Sequence, residues 1–356
     1  MMGTTARTRL AGGGVVVVVA AAAWLSLSVR AAEPAPLFAS GEPLDLTLSM
    51  PVRSLVSHAR SKPEVEGTLS YTAADGTVVE LAVEVTTRGK SRLEYCRFPP
   101  LGLNLKRKQV ENTLFAGQDR LKLVTRCRDA HNFEQYLALE RVLYRVYEQV
   151  SDIAFLVRPV RVRYVDTERD DVEEAPAFFI EHKDGVAARV GMKAVDVPSL
   201  AVADIRPDSL AVLSLFQFMI GNTDWSAVVP SGDENDCCHN GAVLVAAGER
   251  KEFVVVPFDF DQAGLIDTVY AMPAEKLPIR SVRQRLYRGF CATNDSFDDA
   301  VSKFNAARPA IEALFDDPAI DDKTRAKALD YLGDSYAIIN DPEQRQKRIL
   351  DRCRGR

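Results

Sequence analysis

Val79-Glu-Leu-Ala-Val-Glu-Val85 is the stretch that decides the fold of the first half of the chain, because apolar side chains alternate in it with two glutamates. An alternation with a period of two residues places every second side chain on one face, as in a half-buried strand of an antiparallel sheet. The same alternation recurs at residues 44–48, 101–105 and 121–123. These segments predict a β-rich part of the chain.

The spacing of the apolar residues then becomes helical. Tyr136, Leu139, Leu143 and Val146 lie at helical spacing within residues 133–150, which predicts one amphipathic helix. Further strands are predicted at residues 160–164, 177–181, 242–245 and 253–256, and further helices at 209–220, 283–291, 297–315, 321–337 and 342–353. A β-rich part followed by a mainly helical part predicts an α+β chain with two unequal lobes.

The N-terminus has the pattern of a secretory signal. Arg7 and Arg9 precede an uncharged apolar run at residues 11–28, and Val29-Arg-Ala31 fits a cleavage site. An uncleaved anchor helix is the alternative, although three consecutive glycines weaken the run as a permanent span. We therefore predict a signal peptide at 1–31 and a periplasmic or secreted protein, with a linker at 32–43, a β-rich part at 44–182 and a helical part at 183–356. No later stretch is long and apolar enough to cross a membrane.

The net negative charge of the chain argues against one class of partner, nucleic acids. The full chain has 45 basic and 50 acidic residues, a formal charge of −5. Removal of residues 1–31 takes away three arginines and no acid, which gives −8. Binding to nucleic acid phosphates needs a basic surface, so nucleic acid is not the expected main partner.

The six cysteines predict disulfides, because an even number in an exported chain favours pairing. Cys96 and Cys127 lie beside neighbouring strand candidates and are the first predicted pair. One of Cys237 and Cys238 is predicted to pair with Cys291. A zinc site at Cys237-Cys-His239 is disfavoured, since adjacent cysteines do not have the usual ligand spacing.

Two short segments place oxygen ligands directly after buried elements. A predicted buried helix ends at Gly221, and Asn222 and Asp224 follow it; an apolar strand runs into Phe258-Asp-Phe-Asp261. With Asn240, these side chains provide hard oxygen ligands suited to magnesium or manganese. Asp and Asn also serve as turn formers and caps. Two acids at the end of a buried strand would, however, be costly to desolvate without a role.

The same segments resemble motifs of the spore-coat CotH kinase family and its exported bacterial relatives. That family has an Asn-x-Asp loop, a later Asn, and an apolar strand that ends in Trp/Phe-Asp-x-Asp and a later Gly. Here the matching segments are Asn222-Thr-Asp224, Asn240 and Phe258-Asp-Phe-Asp-Gln-Ala-Gly264. Upstream, Thr87-Arg-Gly-Lys-Ser-Arg92 resembles the family's Arg-Gly-Asn-Ser-Ser stretch, and Phe179-Ile-Glu181 resembles the lobe junction. The resemblance covers residues 75–315, with the motifs in the same order.

The resemblance implies a two-lobed, protein-kinase-like fold and ATP-dependent phosphoryl transfer to a protein hydroxyl. Such transfer depends on positioning and charge neutralisation. By resemblance, Asp224 is the catalytic acid that accepts the proton of the attacking hydroxyl. Asn240 and Asp259 would hold Mg²⁺ or Mn²⁺, with Asp261 as a further ligand.

The resemblance also implies a set of nucleotide-binding residues. The order of the elements favours Lys122 as the phosphate-binding lysine, since its strand precedes helix 133–150, whereas the family's Lys-rich strand favours Lys106. Glu140 on that helix would pair with the lysine, and nucleotide would lie near Glu181. Arg88 and Arg92 are candidates for phosphate contacts.

The chain also departs from the family of kinases in ways that leave other functions open. It has no Gly-x-Gly-x-x-Gly loop, and sixteen residues separate Asp224 from Asn240, which requires an inserted loop. The alternatives are a catalytically inactive binding or assembly module of the cell envelope and a metal-dependent phosphoester hydrolase. The four histidines are scattered along the chain, which does not favour the hydrolase.

Overall fold

The computed structural model describes residues 33–231, 235–274 and 276–355, besides the isolated residues Met1 and Gly3. The predicted signal peptide therefore lies outside the described part of the chain. Among the described residues, no helix has the length and apolar character of a membrane span.

Seven strands close into a barrel in the first half of the chain. They are β1 (Leu44–Met50), β2 (Glu64–Thr72), β3 (Val78–Thr87), β4 (Leu101–Leu105), β5 (Arg120–Thr125), β6 (Val157–Asp166) and β7 (Asp171–Ile180). Their order around the barrel is β1-β2-β3-β4-β5-β7-β6. All neighbouring pairs are antiparallel except β6 and β1, which run parallel from Leu44 opposite Val160 to Met50 opposite Asp166. This parallel pairing closes the barrel.

The alternation in the sequence fills the interior of the barrel. Leu81, Val83 and Val85 of β3 are buried in a core shared with the other six strands, whereas Glu80 is exposed. Leu37 and Phe38 in a short 3-10 turn (Pro36–Phe38) belong to the same core.

The predicted two-lobed protein-kinase-like fold is wrong. The β-rich part closes on itself through β1 and β6, and the helical part contains a second, small sheet. The alternation does predict strands with one buried face, but it carries no information about which strands pair. The partner of β1 along the closing seam lies more than 100 residues away, and a period of two cannot reveal that pairing.

The helices and the small sheet are built around a second core. The longer helices are α4 (His131–Glu148), α6 (Pro207–Ile220), α7 (Phe297–Ala313) and α8 (Asp322–Asn340). Short helices are α1 (Val52–Ser57), α2 (Ser91–Tyr95), α3 (Arg107–Val110), α5 (Lys183–Arg189) and α9 (Pro342–Arg348). The small sheet has the order β10-β9-β8, from β8 (Met192–Val195), β9 (Gly241–Ala246) and β10 (Val254–Pro257).

Helix α4 joins the barrel to this second core. Its apolar face packs with Phe178 and Ile180 on the outer face of β7, while Phe179 between them faces the barrel interior. The end of β7 is therefore buried on both faces. The predicted helix at 133–150 is confirmed as α4, and the predicted strand pair at 242–256 is confirmed as β9 and β10.

One predicted helix, at residues 283–291, is wrong, because that segment has no regular helix. Its arginines donate to backbone carbonyls of other segments instead: Arg285 to Met219 and Tyr331, and Arg288 to Thr223 and Trp225. These contacts, and not the hydrogen bonds of a helix, anchor the segment. The spacing of apolar residues alone cannot predict such hydrogen bonds between side chains and distant carbonyls.

Three disulfides are formed among the described residues. The predicted pair Cys96–Cys127 is confirmed. Cys237 pairs with Cys238, and Cys291 pairs with Cys353, so the predicted link between the adjacent cysteines and Cys291 is wrong. Disulfides persist in oxidising compartments, so these bonds are compatible with the predicted export.

Replacement of both Cys96 and Cys127 by serine is expected to lower the free energy of unfolding by about 3 to 4 kcal/mol, because the bond closes a loop of this length in the unfolded chain. The two residues are 31 positions apart, and Cys96 directly follows α2. Urea unfolding of the variant and the parent under non-reducing conditions measures the difference. An unchanged free energy of unfolding would contradict this prediction.

Candidate functional site

The antiparallel pairing of β9 and β10 brings two of the predicted site segments together. Asn240 directly precedes β9 and Phe258 directly follows β10, and the pairing of Gly241 with Pro257 places them side by side. The Phe258 N–H donates to the Asn240 carbonyl at 3.0 Å. Asp259 therefore lies next to Asn240 at one end of the small sheet.

Asn240 and Asp259 both have a left-handed backbone, with φ of 53° and 63°. This conformation is uncommon outside glycine and is best tolerated by Asn and Asp. The Asp259 N–H donates to the Tyr144 hydroxyl of α4 at 2.9 Å, which helps to hold the turn. The sequence thus uses these residue types where the chain must turn sharply.

Asp224 is held by its neighbours on the loop after α6. Its N–H donates to Asn222 Oδ1 at 2.9 Å. Asn240 Nδ2 donates to the Asp224 carbonyl at 2.8 Å and to its Oδ2 at 3.2 Å, and His239 Nε2 lies 2.9 Å from its Oδ1. The Asp224 side chain nevertheless remains 33% exposed. Its carboxylate is fixed in direction yet reachable from solvent.

Arg92 of α2 is the shared counterion of three carboxylates. Its Nη2 lies 2.7 Å from Glu140 Oε2 on α4 and 3.3 Å from Asp259 Oδ1, and its Nε lies 2.7 Å from Asp261 Oδ2. Arg92, Glu140 and Asp261 are buried, whereas the Asp259 side chain is 44% exposed. Asp259 is thus the member of this cluster that can meet a ligand.

Burial and mutual repulsion shift the pKa values in this cluster. Burial raises the pKa of Glu140 to about 8, and the charges of Asp259 and Asp261 add to the effect while Arg92 opposes it. Burial likewise raises the pKa of Asp261 to about 6, again against Arg92. Burial would lower the pKa of Arg92, but Asp261 and Glu140 raise it well above its ordinary value. One guanidinium therefore does not fully compensate three acids.

Two further cations lie beside the exposed carboxylate of Asp259. Lys122 of β5 is half-buried, with its Nζ 4.2 Å from the centre of the Phe258 ring. Burial and the charge of Arg88 lower the pKa of Lys122 to about 7, although Asp259 opposes this. Arg88 directly follows β3 and is half-buried as well; burial lowers its pKa, and Asp259 again opposes this.

Neither of these cations has a direct counterion among the residues that the structure describes. Within the described part of the chain, the side chains of Lys122 and Arg88 form no ion pair and no hydrogen bond, in contrast to Arg92. Unpaired charges that are partly removed from water cost free energy. Two of them side by side are typical of a site for an anionic ligand.

The structure thus brings together most, but not all, of the predicted site residues. It assembles Arg88, Lys122, Glu140, Asp224, Asn240, Asp259 and Asp261. Lys106 is exposed and lies four residues beyond Gly102, the partner of Lys122 on β4, which is about 13 Å along the strand. Glu140 pairs with Arg92 and not with either lysine.

Glu181 belongs to a different environment. It is buried directly after β7, where its Oε2 accepts from the Leu156 N–H at 3.1 Å and from Arg189 Nη2 at 3.0 Å. It lines a separate cavity of about 310 Å³ together with His182 and Arg189. Its carboxylate is therefore engaged in structural contacts.

The oxygen donors present suit a magnesium ion that arrives with a phosphate. In the described ranges, no three His, Cys, Asp or Glu side chains form a ready metal-binding group. Asp261 is engaged by Arg92, which leaves the exposed carboxylate of Asp259 and the neighbouring Asn240 and Asp224. Mg²⁺ is commonly held by one or two carboxylates plus water and substrate phosphates. The predicted metal stays a prediction.

The sequence patterns missed several residues that shape the site. Tyr144 lies four residues after Glu140 on α4, so helical spacing places both on one face. His239 directly precedes Asn240, and its position puts it at the same turn. Arg288, which donates to the backbone on both sides of Asp224, has no signal in the sequence.

Comparison with known proteins found no family model that matches the chain, no similar curated protein and no solved structure of similar fold. The similarity to the CotH family therefore stays a resemblance between short motifs.

The variant Arg92→Met is expected to lower the free energy of unfolding by about 3 to 5 kcal/mol at pH 8, because it leaves buried carboxylates without a counterion. The pKa values of Glu140 and Asp261 are raised in the folded chain, so the folded state takes up protons there as the pH falls from 8 to 5. The loss should therefore shrink over that range. Urea unfolding at several pH values measures it.

The control for that variant is Arg60→Met, since Arg60 is exposed. It should leave the unfolding free energy within about 0.5 kcal/mol of the parent. A deficit in Arg92→Met that stays constant from pH 5 to pH 8 would contradict the account of the cluster.

The variant Lys122→Met is expected to stabilise the protein at pH 6 more than at pH 10. The pKa of Lys122 is lowered from 10.5 to about 7 by folding, so the unfolded chain binds the extra proton between these values. The cost of the buried charge is thus fully present below pH 7 and disappears as the pH rises toward 10.5. Thermal unfolding at pH 6, 8 and 10 tests this, with Lys106→Met as the exposed control. Equal shifts at all three pH values would contradict it.

Proposed function

We propose that the chain binds ATP together with Mg²⁺ or Mn²⁺ and transfers a phosphoryl group to a hydroxyl group of a protein. The observation that carries this proposal is the pair of uncompensated cations, Lys122 and Arg88, beside the half-exposed carboxylate of Asp259. A polyphosphate with a bound divalent cation has the complementary charges.

Lys122 and Arg88 are suited to the phosphate end of the ligand. Lys122 comes from β5 and Arg88 from the end of β3, so two separate strands of the rigid barrel present the two charges. A phosphate that binds between them would supply the missing counterion and stabilise the protonated form of Lys122. Because the pKa of Lys122 is about 7, binding should weaken above neutral pH.

Asp259 and Asn240 are suited to the cation that accompanies the phosphate. Asp259 keeps one side of its carboxylate toward Arg92 and remains accessible. Asn240 donates its amide N–H to Asp224, which leaves its amide oxygen as an acceptor. The metal would supply charge neutralisation for the phosphoryl group, and these two residues would place it.

Asp224 is suited to accept the proton of the attacking hydroxyl. Its side chain is one-third exposed, and its two oxygens are in contact with His239 and Asn240. Phosphoryl transfer requires positioning more than covalent chemistry, and a fixed carboxylate serves that purpose.

A binding or assembly module without turnover is the second candidate. One observation favours it: both oxygens of Asp224 already accept or share hydrogen bonds, from Asn240 and from His239. A carboxylate engaged in this way can be a purely structural anchor for the turn at residues 238–241. The two candidates share the ligand and differ only in the reaction.

Addition of ATP and Mg²⁺ to the purified protein is expected to raise its melting temperature. A ligand present at 100 times its dissociation constant adds about 2.7 kcal/mol, which corresponds to about 4 °C for a chain of this size. Lys122→Met and Arg88→Met should abolish the shift, and Lys106→Met should retain it. A parent protein whose melting temperature responds to neither nucleotide nor metal would exclude the proposal.

Transfer of radiolabelled phosphate then separates the two candidates. Asp224→Asn should keep the ATP-dependent shift and lose transfer, because it keeps the shape of the side chain without its basicity. Asp259→Asn should lose the metal dependence of binding. Transfer that survives in both variants would remove the site assignment, and binding without any transfer in the parent would establish the binding module.

A further inference from the structure

Arg288 lies outside the elements that form the site, yet its side chain reaches the loop that carries Asp224. Its Nη1 donates to the carbonyls of Thr223 and Trp225, the latter at 2.8 Å. One nitrogen thus binds the backbone on both sides of Asp224. Thr223 and Trp225 are each only 3% exposed, so these carbonyls have little access to solvent.

The electrostatics agree with this placement. Burial and the neighbouring Arg354 lower the pKa of Arg288 to about 10, and Asp224 opposes this shift. The guanidinium is therefore close enough to Asp224 to interact with its charge, while its hydrogen bonds go to the backbone. The Trp225 ring also lies beside the guanidinium, 5.9 Å from ring centre to Cζ.

The two sides of the loop are held by different parts of the chain. Asn240 and His239 bind the Asp224 side chain from the turn before β9. Arg288 binds the backbone from the segment that precedes α7. The Thr223 carbonyl belongs to the peptide before Asp224, and the Trp225 carbonyl belongs to the peptide after Trp225. The Asp224 carbonyl between them accepts from Asn240 Nδ2, so three successive peptides of the loop are anchored.

We propose that Arg288 is the positioning residue of Asp224: by binding the carbonyls of Thr223 and Trp225 it sets the direction in which the Asp224 carboxylate points. The inference rests on the proposed function, in which Asp224 accepts the proton of the acceptor hydroxyl. Arg288 itself contacts neither the phosphate-binding cations nor the carboxylates of the Arg92 cluster.

The alternative is that Arg288 only satisfies buried carbonyls. Arg285 provides the matched comparison, because it lies in the same segment and also donates to two carbonyls, those of Met219 and Tyr331. Neither carbonyl adjoins Asp224. Loss of either arginine should therefore cost comparable stability, and only loss of Arg288 should disturb Asp224.

The test compares Arg288→Met, Arg288→Lys and Arg285→Met in the full chain. We expect all three to keep the ATP- and Mg²⁺-dependent rise in melting temperature. For transfer, Arg288→Met should lower kcat about 100-fold with an unchanged KM for ATP, since a displacement of about 1 Å has effects of this size. Arg288→Lys should recover part of kcat, and Arg285→Met should keep the parental value.

A second readout needs no activity. The chain has only four histidines, and His239 is the one that contacts Asp224. In NMR spectra of the imidazole signals, Arg288→Met should move the signal of His239 and leave those of His58, His131 and His182 in place. Arg285→Met should leave all four unchanged.

The outcomes distinguish a failure of the proposed function from a failure of the proposed role of Arg288. A parent protein without ATP binding or transfer would refute the proposed function, while the His239 signal would still decide whether Arg288 controls Asp224. Arg288 would be a structural residue only if its loss moved neither kcat nor the His239 signal beyond the effect of Arg285→Met. If Arg288→Met does not fold, Arg288→Lys decides by the same two readouts.

Discussion

The buried ion cluster around Arg92 is the interaction on which the rest of the structure depends. Arg92 comes from the short helix between two barrel strands, Glu140 from the long helix α4, and Asp259 and Asp261 from the turn after the small sheet. One guanidinium therefore ties the barrel to the helical part across sequence separations of 48 and 169 residues. The removal of one partner from a buried charge cluster costs far more than the net gain from the pair. The cluster thus defines how these three elements meet.

The candidate site lies at this junction, where some charged side chains have counterions and others do not. Arg92 forms ion pairs with three carboxylates, whereas Lys122 and Arg88 form none with the residues that the structure describes. Burial and the charge of Arg88 lower the pKa of Lys122 to about 7. A chain selected for stability alone would place apolar side chains there, so unpaired cations in such a position are an argument for ligand binding. Asp224 is anchored through its side chain by the turn before β9 and through its neighbouring backbone by Arg288.

Much of the local structure could be predicted from the sequence. The alternation at 79–85, the helical spacing of α4 and the pairing of Cys96 with Cys127 all follow from residues close together in the chain or in neighbouring strands. The sequence also pointed to Asp224, Asn240 and Asp259 as a group, because Asp224 and Asp259 follow buried apolar elements and Asn240 stands between a polar loop and an apolar strand. Neighbouring residues of a strand differ in their exposure to solvent, and the alternation of apolar and polar residues in the sequence reflects this difference. For this reason most strands and the longer helices were predictable. Strands β2 and β8 and the short helices α1, α2, α3 and α5 were not predicted, and the segment at 283–291 was wrongly predicted as a helix.

What the sequence determined by itself is therefore the type of each element and the residues that end it, since periodicity records which side of an element is buried. Only the tertiary structure decided which elements meet. The parallel pairing of β1 with β6 closes a barrel where two lobes were expected, and Lys122, not the exposed Lys106, lies near Asp259. Arg92, and not a lysine, became the partner of Glu140. The physical reason is that pairing and ion contacts join residues far apart in the chain, and their energies depend on geometry that no local pattern contains.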